Sequence, residues 1–390
     1  MPTNSKIWLS SPHMGGGELN YVNEAYHSNW VAPIGPNVDR FESDIQMFTG
    51  SKHCAVLSSG TAALHLALIL SGIKAGDYVI CQSMTFSASA NPILYLGATP
   101  IFIDSESDTW NMSPEHLENA IRDSIAGKLQ HPQSKATLPP GKIKAIIPVH
   151  LYGMPANLDE IGAIANRYEI PIIEDAAESM GSTIGNRSTG TFGRMGILSF
   201  NGNKIITTSG GGALISDDEN LIKKAQFLAT QARDDAPHYE HSHIGYNYRM
   251  SNILAGIGRG QMDVLPQRIE MRRSINQWYR TYLEEIEGLE FQSESKPEYF
   301  SNYWLTALTL APQMTGISRE KLRLNLLAQN IESRPLWKPM HLQPVFKDAP
   351  YYGEGVSDKL FENGLCLPSG SNLTEEDKCR IKKSILQVFE

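Results

Sequence analysis

The sequence contains little cysteine and no excess of basic charge. Its 390 residues include four scattered cysteines, Cys54, Cys81, Cys366 and Cys379. No two of them have the C-x-x-C spacing of a redox or zinc site, so we expect a reduced protein with incidental thiols. The net charge of -8 gives no broad positive field, which argues against nucleic acid or an anionic membrane surface as a partner.

Long apolar runs are also missing. No stretch approaches the roughly 20 apolar residues that a membrane-spanning helix needs. The N-terminal segment MPTNSKIWLSSPHMGGG lacks the apolar core of a signal peptide. These absences predict a soluble cytoplasmic protein. The composition, with 41% hydrophobic and 19% charged residues, is sufficient for a sizeable core.

Short apolar segments alternate with amphipathic ones through the first part of the chain. The predicted strands are Ala55–Ser58, Tyr78–Gln82, Thr99–Asp104, Ile143–His150, Ile170–Glu174, Ile197–Phe200 and Gly212–Ser216. The predicted helices between them include Thr61–Ser71, Pro114–Ile125 and Leu158–Tyr168. Uninterrupted apolar strands that alternate with helices predict a mostly parallel sheet covered on both faces.

The pattern changes in the C-terminal part of the chain. A long helical stretch covers Ser251–Gly288 and contains Pro266, which predicts a kink or a break. A last helix begins at Thr374 with the spacing of a capping box. We therefore predict a large α/β domain over residues 10–250 and a small α+β domain over residues 251–390.

Three segments contain residues that could take part in chemistry. The first, SSGTAAL, closes a strand and opens a helix. Gly60 permits a tight turn and Thr61 can cap the helix, whose free N–H groups would form a phosphate cradle. A plain strand-to-helix turn is the alternative.

The second segment, IIEDAA, ends an apolar strand in two carboxylates, Glu174 and Asp175. Ligands in open α/β sheets bind at the carboxyl ends of the strands. Because side chains alternate along a strand, only one of the two acids faces a given cleft. The alternative is that both are solvated acids at a strand end.

The third segment, SFNGNK followed by TTSGGG, places Lys204 between a strand end and three glycines. Glycines allow a ligand to approach the backbone closely, and a lysine in a crowded site can form Schiff bases. The alternative is a lysine in a surface loop. The three segments in this order are a stronger signal than any one of them.

The order of these segments resembles that of fold-type I pyridoxal-phosphate enzymes, and specifically the DegT/DnrJ/EryC1/StrS family of sugar aminotransferases. The matching stretches are SSGTAALHLAL, MTFSASAN, LGATPIFID, VHLYGMPANLDEI, EDAAESMGS, SFNGNKIITTSGGG and GYNYRMSNILAGIGRGQMD. The resemblance covers nearly the whole chain. It implies an aspartate aminotransferase-like α/β fold with a small C-terminal domain, pyridoxal 5'-phosphate as cofactor, and a homodimer with shared active sites.

The resemblance also implies the two central catalytic roles. Lys204 would form the Schiff base with the cofactor, and Asp175 would pair with the pyridine nitrogen, because a protonated ring is the better electron sink. Some members carry His in place of the lysine and catalyse dehydration. The lysine in this sequence favours transamination.

Further cofactor contacts follow from the same resemblance. Phe86 would supply a flat apolar face to the cofactor ring. Gly60, Thr61 and Ser199 would hold the phosphate, and Asn247 would reach the phosphate of the neighbouring subunit's cofactor.

Glu178 is a departure, because many members have Gln there, close to the cofactor's phenolic oxygen. Two acceptors share a contact only if one holds a proton, so we expect Glu178 to be protonated or turned toward the substrate. Among the histidines, we interpret His65 as packed in the structure, His150 as structural near the site, and His341 as a residue of the substrate loop.

The two ends of the chain resemble the subgroup that acts on UDP-linked 4-keto-6-deoxy-N-acetylhexosamines. The subgroup implies amino transfer from L-glutamate to a UDP-linked 2-acetamido-4-keto-2,6-dideoxyhexose, giving an N-acetylbacillosamine-type sugar for bacterial glycoconjugates. Trp30 and Trp337 would offer aromatic faces and Lys338 a cation for the diphosphate, although core packing explains either tryptophan equally well.

Three alternatives to this substrate assignment stay open. One is a GDP-perosamine-type 4-aminotransferase, and another is a 3-aminotransferase for a dTDP-linked keto-sugar. The third is a cofactor-binding regulatory protein without turnover.

Overall fold

The computed structural model describes residues 5–389. Its strands are β1 (His53–Leu57), β2 (Tyr78–Gln82), β3 (Thr99–Ile103), β4 (Ile143–Ile147), β5 (Ile173–Asp175), β6 (Thr183–Ile184), β7 (Arg187–Ser188), β8 (Met195–Ser199), β9 (Gly212–Ser216), β10 (Leu289–Phe291), β11 (Tyr299–Phe300), β12 (Thr306–Leu310), β13 (Arg334–Pro335), β14 (Tyr351–Tyr352) and β15 (Gly364–Leu367). Its helices are α1 (Glu18–His27), α2 (Pro36–Thr49), α3 (Gly60–Leu70), α4 (Asn91–Tyr95), α5 (Pro114–Ile125), α6 (Leu158–Arg167), α7 (Glu219–Ala229), α8 (Asn252–Leu283), α9 (Pro312–Thr315), α10 (Arg319–Ala328), α11 (Val356–Asn363) and α12 (Glu375–Leu386).

A mostly parallel sheet lies at the centre of the molecule. Strands β14, β3, β2 and β4 pair in parallel, and so do β5 and β8. Parallel bridges from Ile146 to Ile172 and from Val149 to Asp175 connect β4 with β5. Strand β9 is antiparallel to both of its neighbours, β8 and β1. All seven strands predicted in the first part of the chain have a counterpart here, so the predicted fold class is confirmed.

Helices cover this sheet because its strands are buried on both faces, as in other doubly covered sheets. Helix α3 is almost wholly apolar, and Leu64, Leu66 and Leu68 within it are fully buried. It begins where β1 ends, so its N-terminus lies at the sheet edge where β8 and β5 also end. The fold therefore brings one helix start and two strand ends to a single place.

Helix α8 is continuous from Asn252 to Leu283 and contains Pro266. The predicted alternative of a break at this proline is therefore wrong. Leu265 and Ile269, on either side of the proline, are both buried in the same apolar cluster, and this packing holds the two halves in one helix. Among residues 5–389, neither this helix nor any other is long and apolar enough to span a membrane.

The C-terminal part forms a second sheet, with the order β10-β12-β15-β13. Helices α10 and α12 pack on it through an apolar cluster that includes Leu322, Leu326 and Ile381. The predicted capping box of the last helix is present, with Thr374 and Asp377 bonding reciprocally.

The N-terminal segment crosses to this second sheet. Ile7 forms a bridge with Ile331, Leu9 N–H donates to Glu332 Oε2 at 3.2 Å, and Ser369 N–H donates to the Leu9 carbonyl at 2.8 Å. Ile7 and Leu9 are therefore held by residues from the last third of the chain.

Candidate active site

A cavity of about 770 Å³ opens where β5 and β8 end and α3 begins. Of the site residues predicted from the sequence, its wall contains Gly60, Thr61, Phe86, Asp175, Glu178, Ser199, Lys204, Trp337 and Lys338. Trp30, Asn247 and His341 are not among the described residues that line it. The fold thus brings together the residues of all three sequence segments singled out for chemistry.

Lys204 lies in the loop after β8, and its side chain is only 11% exposed. Its Nζ lies 3.1 Å from Glu178 Oε1 and 4.1 Å from the centroid of the Trp304 ring. Both the aromatic face and the carboxylate are surroundings that suit a cationic side chain. Lys204 is therefore a cavity residue and not a surface-loop lysine.

The acids at the end of β5 point in opposite directions, as alternation along a strand requires. Asp175 faces the cavity, where Oδ2 accepts from Ser89 Oγ at 2.6 Å and Oδ1 accepts from Ala177 N–H at 3.1 Å. Glu174 is fully buried and accepts from Gly190 N–H at 2.7 Å. Both acids are held within the protein, so the alternative of solvated strand-end acids does not apply.

Ser89 was not singled out from the sequence, although it lies within the MTFSASAN stretch that contains Phe86. Its hydroxyl bonds both Asp175 and Thr85 Oγ1, the latter at 2.7 Å. These bonds fix the orientation of the carboxylate. Serine is common in loops, so the only signal for this contact in the sequence is that Ser89 lies close to Phe86 in the chain.

Glu178 is buried at the floor of the cavity and interacts through both oxygens. Oε1 pairs with Lys204, and Oε2 accepts from the backbone N–H of Tyr152 at 2.8 Å. Burial raises the pKa of the Glu178 carboxyl above its ordinary value, against the lowering effect of the Lys204 ammonium. In this arrangement both Glu178 oxygens have partners in the protein, and the residue lines the cavity beside Lys204.

The turn between β1 and α3 corrects one prediction. The residue that caps α3 is Ser59 and not Thr61, because Ser59 has the extended backbone of an N-cap and its Oγ accepts from Ala62 N–H at 3.0 Å. Gly60 and Thr61 occupy the first turn of the helix and line the cavity with Ser199. Their backbone therefore lies at the positive end of the helix dipole, which favours an anion.

Two glycines allow this turn to lie against the sheet. A Cβ on Gly60 would approach Ser199 Cβ to 3.2 Å, and one on Gly212 would approach Gly60 Cα to 2.7 Å. The cavity therefore combines the Lys204 amine, the fixed Asp175 carboxylate and a helix start that suits a phosphate. This set fits pyridoxal 5'-phosphate, a planar aldehyde with a ring nitrogen and a phosphate ester.

The rim of the cavity carries aromatic and cationic side chains. Trp337 donates its backbone N–H to Tyr152 Oη at 2.9 Å, and its ring lies 5.7 Å from that of Phe86. Lys338 is exposed, and Arg334 forms an ion pair with Glu332 at 2.7 Å. Trp8 of the N-terminal segment completes this wall and was missed, because its only sequence context is the short polar N-terminus.

His341 lies outside the cavity wall and holds the loop that carries Trp337 and Lys338. Its Nδ1 lies 2.7 Å from Ser83 Oγ, and its Nε2 lies 3.0 Å from Asp358 Oδ1. Burial lowers the pKa of this imidazole. These contacts occupy both ring nitrogens and place His341 beside the loop that carries Trp337 and Lys338.

The two other predicted histidines are packed. His150 Nε2 lies 3.0 Å from Glu174 Oε2, and its Nδ1 accepts from Ala156 N–H at 3.1 Å. His65 lies edge-on to Tyr246, with ring centroids 5.1 Å apart. Both arrangements agree with the structural interpretation made from the sequence.

Trp30 and Asn247 lie on the surface of this chain. The Trp30 ring is 49% exposed, and its Nε1–H donates to the Ile34 carbonyl. Asn247 is exposed and forms a backbone bridge with Thr230. Within one chain, neither side chain contributes to the cavity described above.

Comparisons with known proteins agree with this geometry. The profile of the DegT/DnrJ/EryC1/StrS aminotransferase family matches residues 12–386. The chain is 51% identical over 393 residues to a Bacillus subtilis (strain 168) protein described as "Putative pyridoxal phosphate-dependent aminotransferase EpsN", covering 99% of this chain and 96% of that protein. It is 35% identical to the GDP-perosamine synthase of Escherichia coli O157:H7, with 98% of each chain covered.

A solved structure extends the likeness to three dimensions. The crystal structure of a DegT/DnrJ/EryC1/StrS aminotransferase from Brucella abortus has a TM-score of 0.85 at 29% identity, covering 95% of this chain and 94% of that chain. Family profile, relatives and fold agree along nearly the whole sequence. The chain therefore belongs to the DegT/DnrJ/EryC1/StrS aminotransferase family and is a sugar aminotransferase that uses pyridoxal 5'-phosphate.

Proposed function

We propose that this enzyme transfers the amino group of L-glutamate to C4 of a UDP-linked 2-acetamido-4-keto-2,6-dideoxyhexose. The observation that carries the proposal is a single cavity that holds the buried amine of Lys204 and a rim with Trp337 and Lys338. Its volume of about 770 Å³ is in the upper range of small-molecule sites. In this proposal the nucleotide-linked sugar and the cofactor share that volume.

When bound, pyridoxal 5'-phosphate supplies an electron sink for the carbon that loses a proton. We propose that Lys204 accepts that proton, because its amine is held inside the cavity by Glu178 and Trp304. It would remove the proton from the α-carbon of glutamate and, in the second half-reaction, deliver one to C4 of the sugar. Asp175, fixed by Ser89 and by Ala177 N–H, would keep the pyridine nitrogen protonated.

The remaining wall residues would position the cofactor. Gly60 and Thr61 at the start of α3, together with Ser199, would bind the phosphate through backbone N–H and hydroxyl groups. Phe86 would cover one face of the ring, since it is 55% exposed and lines the cavity beside Trp337. Glu178 would lie at the edge of the cofactor, next to Lys204.

The rim would bind the nucleotide part of the substrate. Lys338 offers an exposed cation for the diphosphate, with Arg334 close by in the same loop. Trp337 offers an aromatic face to sugar or uracil. His341 would act indirectly, because it holds this loop through Ser83 and Asp358.

A competition assay tests the substrate assignment. UDP-, GDP- and dTDP-linked 4-keto-6-deoxy sugars are offered at equal concentration with L-glutamate as donor. We expect amination of the UDP-linked 2-acetamido sugar first, because a site built to bond the acetamido group leaves polar groups unpaired when a 2-hydroxyl enters. Amination of none of the three would contradict the proposed substrate class.

A second candidate substrate is GDP-4-keto-6-deoxymannose, as in perosamine formation. The observation that favours it is the similarity, at 35% identity over nearly the whole chain, to a GDP-perosamine synthase. Preference for the GDP-linked sugar in the same competition would select this candidate. The proposed roles of Lys204 and Asp175 would be unchanged.

We also propose a homodimer in which each site is completed by the partner. Asn247 and Trp30 are exposed and lie away from the cavity of their own chain, so a second copy is the means by which they would reach a site. Mixing an Asn247→Ala variant with a Lys204→Ala variant should restore activity, because each mixed dimer regains one intact site. A monomer at working concentration would contradict the proposal.

Two domains are proposed within each subunit, over residues 10–250 and 251–390. The start of α8 at Asn252 and the separate sheet formed by β10, β12, β13 and β15 support this division. The cavity lies between them, as is common for substrate sites.

A further inference from the structure

Glu178 and Lys204 form a buried ion pair at the floor of the cavity. Their side chains are 4% and 11% exposed, and Oε1 lies 3.1 Å from Nζ. A buried carboxylate is tolerated only where a counter-charge and hydrogen bonds replace its water. The ionised form of Glu178 therefore depends on the positive charge of Lys204.

The protein backbone fixes which oxygen of Glu178 faces the lysine. Oε2 accepts from the N–H of Tyr152, a buried residue in the left-handed region at φ 56°. Asn302 Nδ2 holds the main chain from the other side, donating to the Glu178 carbonyl at 2.9 Å and to the Met180 carbonyl at 3.0 Å. Glu178 is thus held in place, and Oε1 is the atom directed at Lys204.

Four titratable groups surround the Glu178 carboxyl, each from a different part of the fold. They are Asp175 at the end of β5, Tyr152 after β4, Cys366 in β15, and Lys204. The negative charge of Asp175 disfavours ionisation of Glu178 and so raises its pKa. Burial raises the pKa of the Tyr152 phenol and of the Cys366 thiol. Lys204 is the cation in this group. When its positive charge is removed, the burial of Glu178 and the negative charge of Asp175 remain, and both favour protonation of the Glu178 carboxyl.

We propose that Glu178 holds the proton that Lys204 gives up, being ionised while Lys204 is an ammonium and a neutral carboxyl once Lys204 is joined to the cofactor. This inference rests on the proposed role of Lys204. The lysine nitrogen forms a double bond to the aldehyde carbon, and the aldehyde oxygen leaves as water with two of the ammonium protons. The third passes to Glu178 Oε1, so atoms and charge balance. Protonated Oε1 then becomes a hydrogen-bond donor toward the cofactor.

Infrared difference spectroscopy tests the protonation state directly. Spectra of the cofactor-free protein are subtracted from those of the protein loaded with pyridoxal 5'-phosphate, in H₂O and in D₂O. We expect the carbonyl band of a protonated carboxyl to appear on loading, to shift in D₂O, and to shift again when the protein carries ¹³C-labelled glutamate. Absence of this band from the loaded wild-type protein would overturn the proposal.

Two variants locate the band. Glu178→Gln keeps an oxygen for the Tyr152 N–H and should lose the band. Glu42→Gln removes another buried glutamate, which pairs with Arg249 at 2.8 Å away from the cavity, and should retain it. A band that survives in Glu178→Gln, or disappears in Glu42→Gln, would overturn the assignment. If Glu178→Gln fails to fold, the ¹³C-glutamate shift in the wild-type protein, which Asp175 cannot produce, still tests whether a glutamate is protonated.

Borohydride reduction followed by peptide mapping separates this inference from the proposed function. Cofactor fixed on Lys204 without a protonated glutamate band refutes the role of Glu178 alone. Cofactor fixed on a different lysine refutes the proposed function, and the inference falls with it.

Discussion

Gly212 is the position where a single methyl group tests the proposed phosphate site. It begins β9, pairs with Ser199 of β8 and Leu57 of β1, and faces the start of α3. In Gly212→Ala the new Cβ would lie 2.7 Å from Gly60 Cα and closer still to the Gly60 nitrogen. Carbon atoms that are not bonded prefer about 3.5–4.0 Å, so strand and helix start would have to separate by roughly 1 Å.

Such overpacking costs about 1–3 kcal/mol, and it would displace the N–H groups that we assign to the phosphate. Because about 1.4 kcal/mol corresponds to a tenfold change in affinity, we expect the cofactor to bind about 5- to 140-fold more weakly if the whole cost falls on the bound state. The assay is an absorbance titration of cofactor-free protein with pyridoxal 5'-phosphate, with thermal unfolding of the same samples.

The matched control is Gly202→Ala, in the loop before Lys204. The atom nearest to its new Cβ would be the Ser209 carbonyl oxygen at 4.0 Å, so this variant should bind the cofactor as the wild type does. Normal affinity in Gly212→Ala, or an equal loss in both variants, would refute the reasoning that places the phosphate at the start of α3.

Further predictions concern the chemistry of the cavity. Lys204→Ala should lose turnover and the borohydride-fixed adduct but remain folded, and activity retained in this variant would contradict the assignment. Burial raises the pKa of the Glu178 carboxyl above its ordinary value, and Lys204→Ala removes the opposing cation. The variant's stability relative to the wild type should therefore be greatest below about pH 4.3, the pKa of a free glutamate, and fall as the pH rises through the folded-state pKa, as followed by urea unfolding. Asp175→Asn should bind the cofactor but slow the single turnover with glutamate by orders of magnitude, because an amide does not stabilise a protonated pyridine nitrogen; an unchanged rate would make the carboxylate structural. Lys338→Ala should raise KM for the nucleotide sugar about 10-fold or more, through loss of a charge-assisted bond, and leave the glutamate half-reaction unchanged in stopped-flow traces.

Apolar periodicity predicted the central sheet well but the N-terminal helices poorly. The strands β2 and β9 are fully buried and read as continuous apolar runs. Helices α1 and α2 follow Gly17 and Gly35, which cap them without a side-chain hydrogen bond. The usual Ser, Thr or Asp signal was therefore missing, and the two helices were not predicted.

Within the site, sequence order predicted that Lys204, Asp175 and the start of α3 meet, but not how each is oriented. Asp175 is the last residue of β5 and Lys204 follows the end of β8, and the carboxyl ends of parallel strands meet at one edge of a sheet. The partner of Asp175 is Ser89, and Glu178 is fixed by a backbone N–H of Tyr152. These contacts join residues far apart in the chain, and local pattern contains no information about them.

The crossing of the N-terminal segment to the second sheet has a consequence for biosynthesis. Trp8 and Ser10 form part of the cavity wall, yet Leu9 is held by Glu332 and by Ser369. During translation, Leu9 could contact these partners only after nearly all of the polypeptide has left the ribosome. Closure of such a long loop is slow. We expect a nascent chain stalled before Glu332 to lack a finished pocket, so that capture of the vitamin B6 cofactor follows synthesis and does not accompany it.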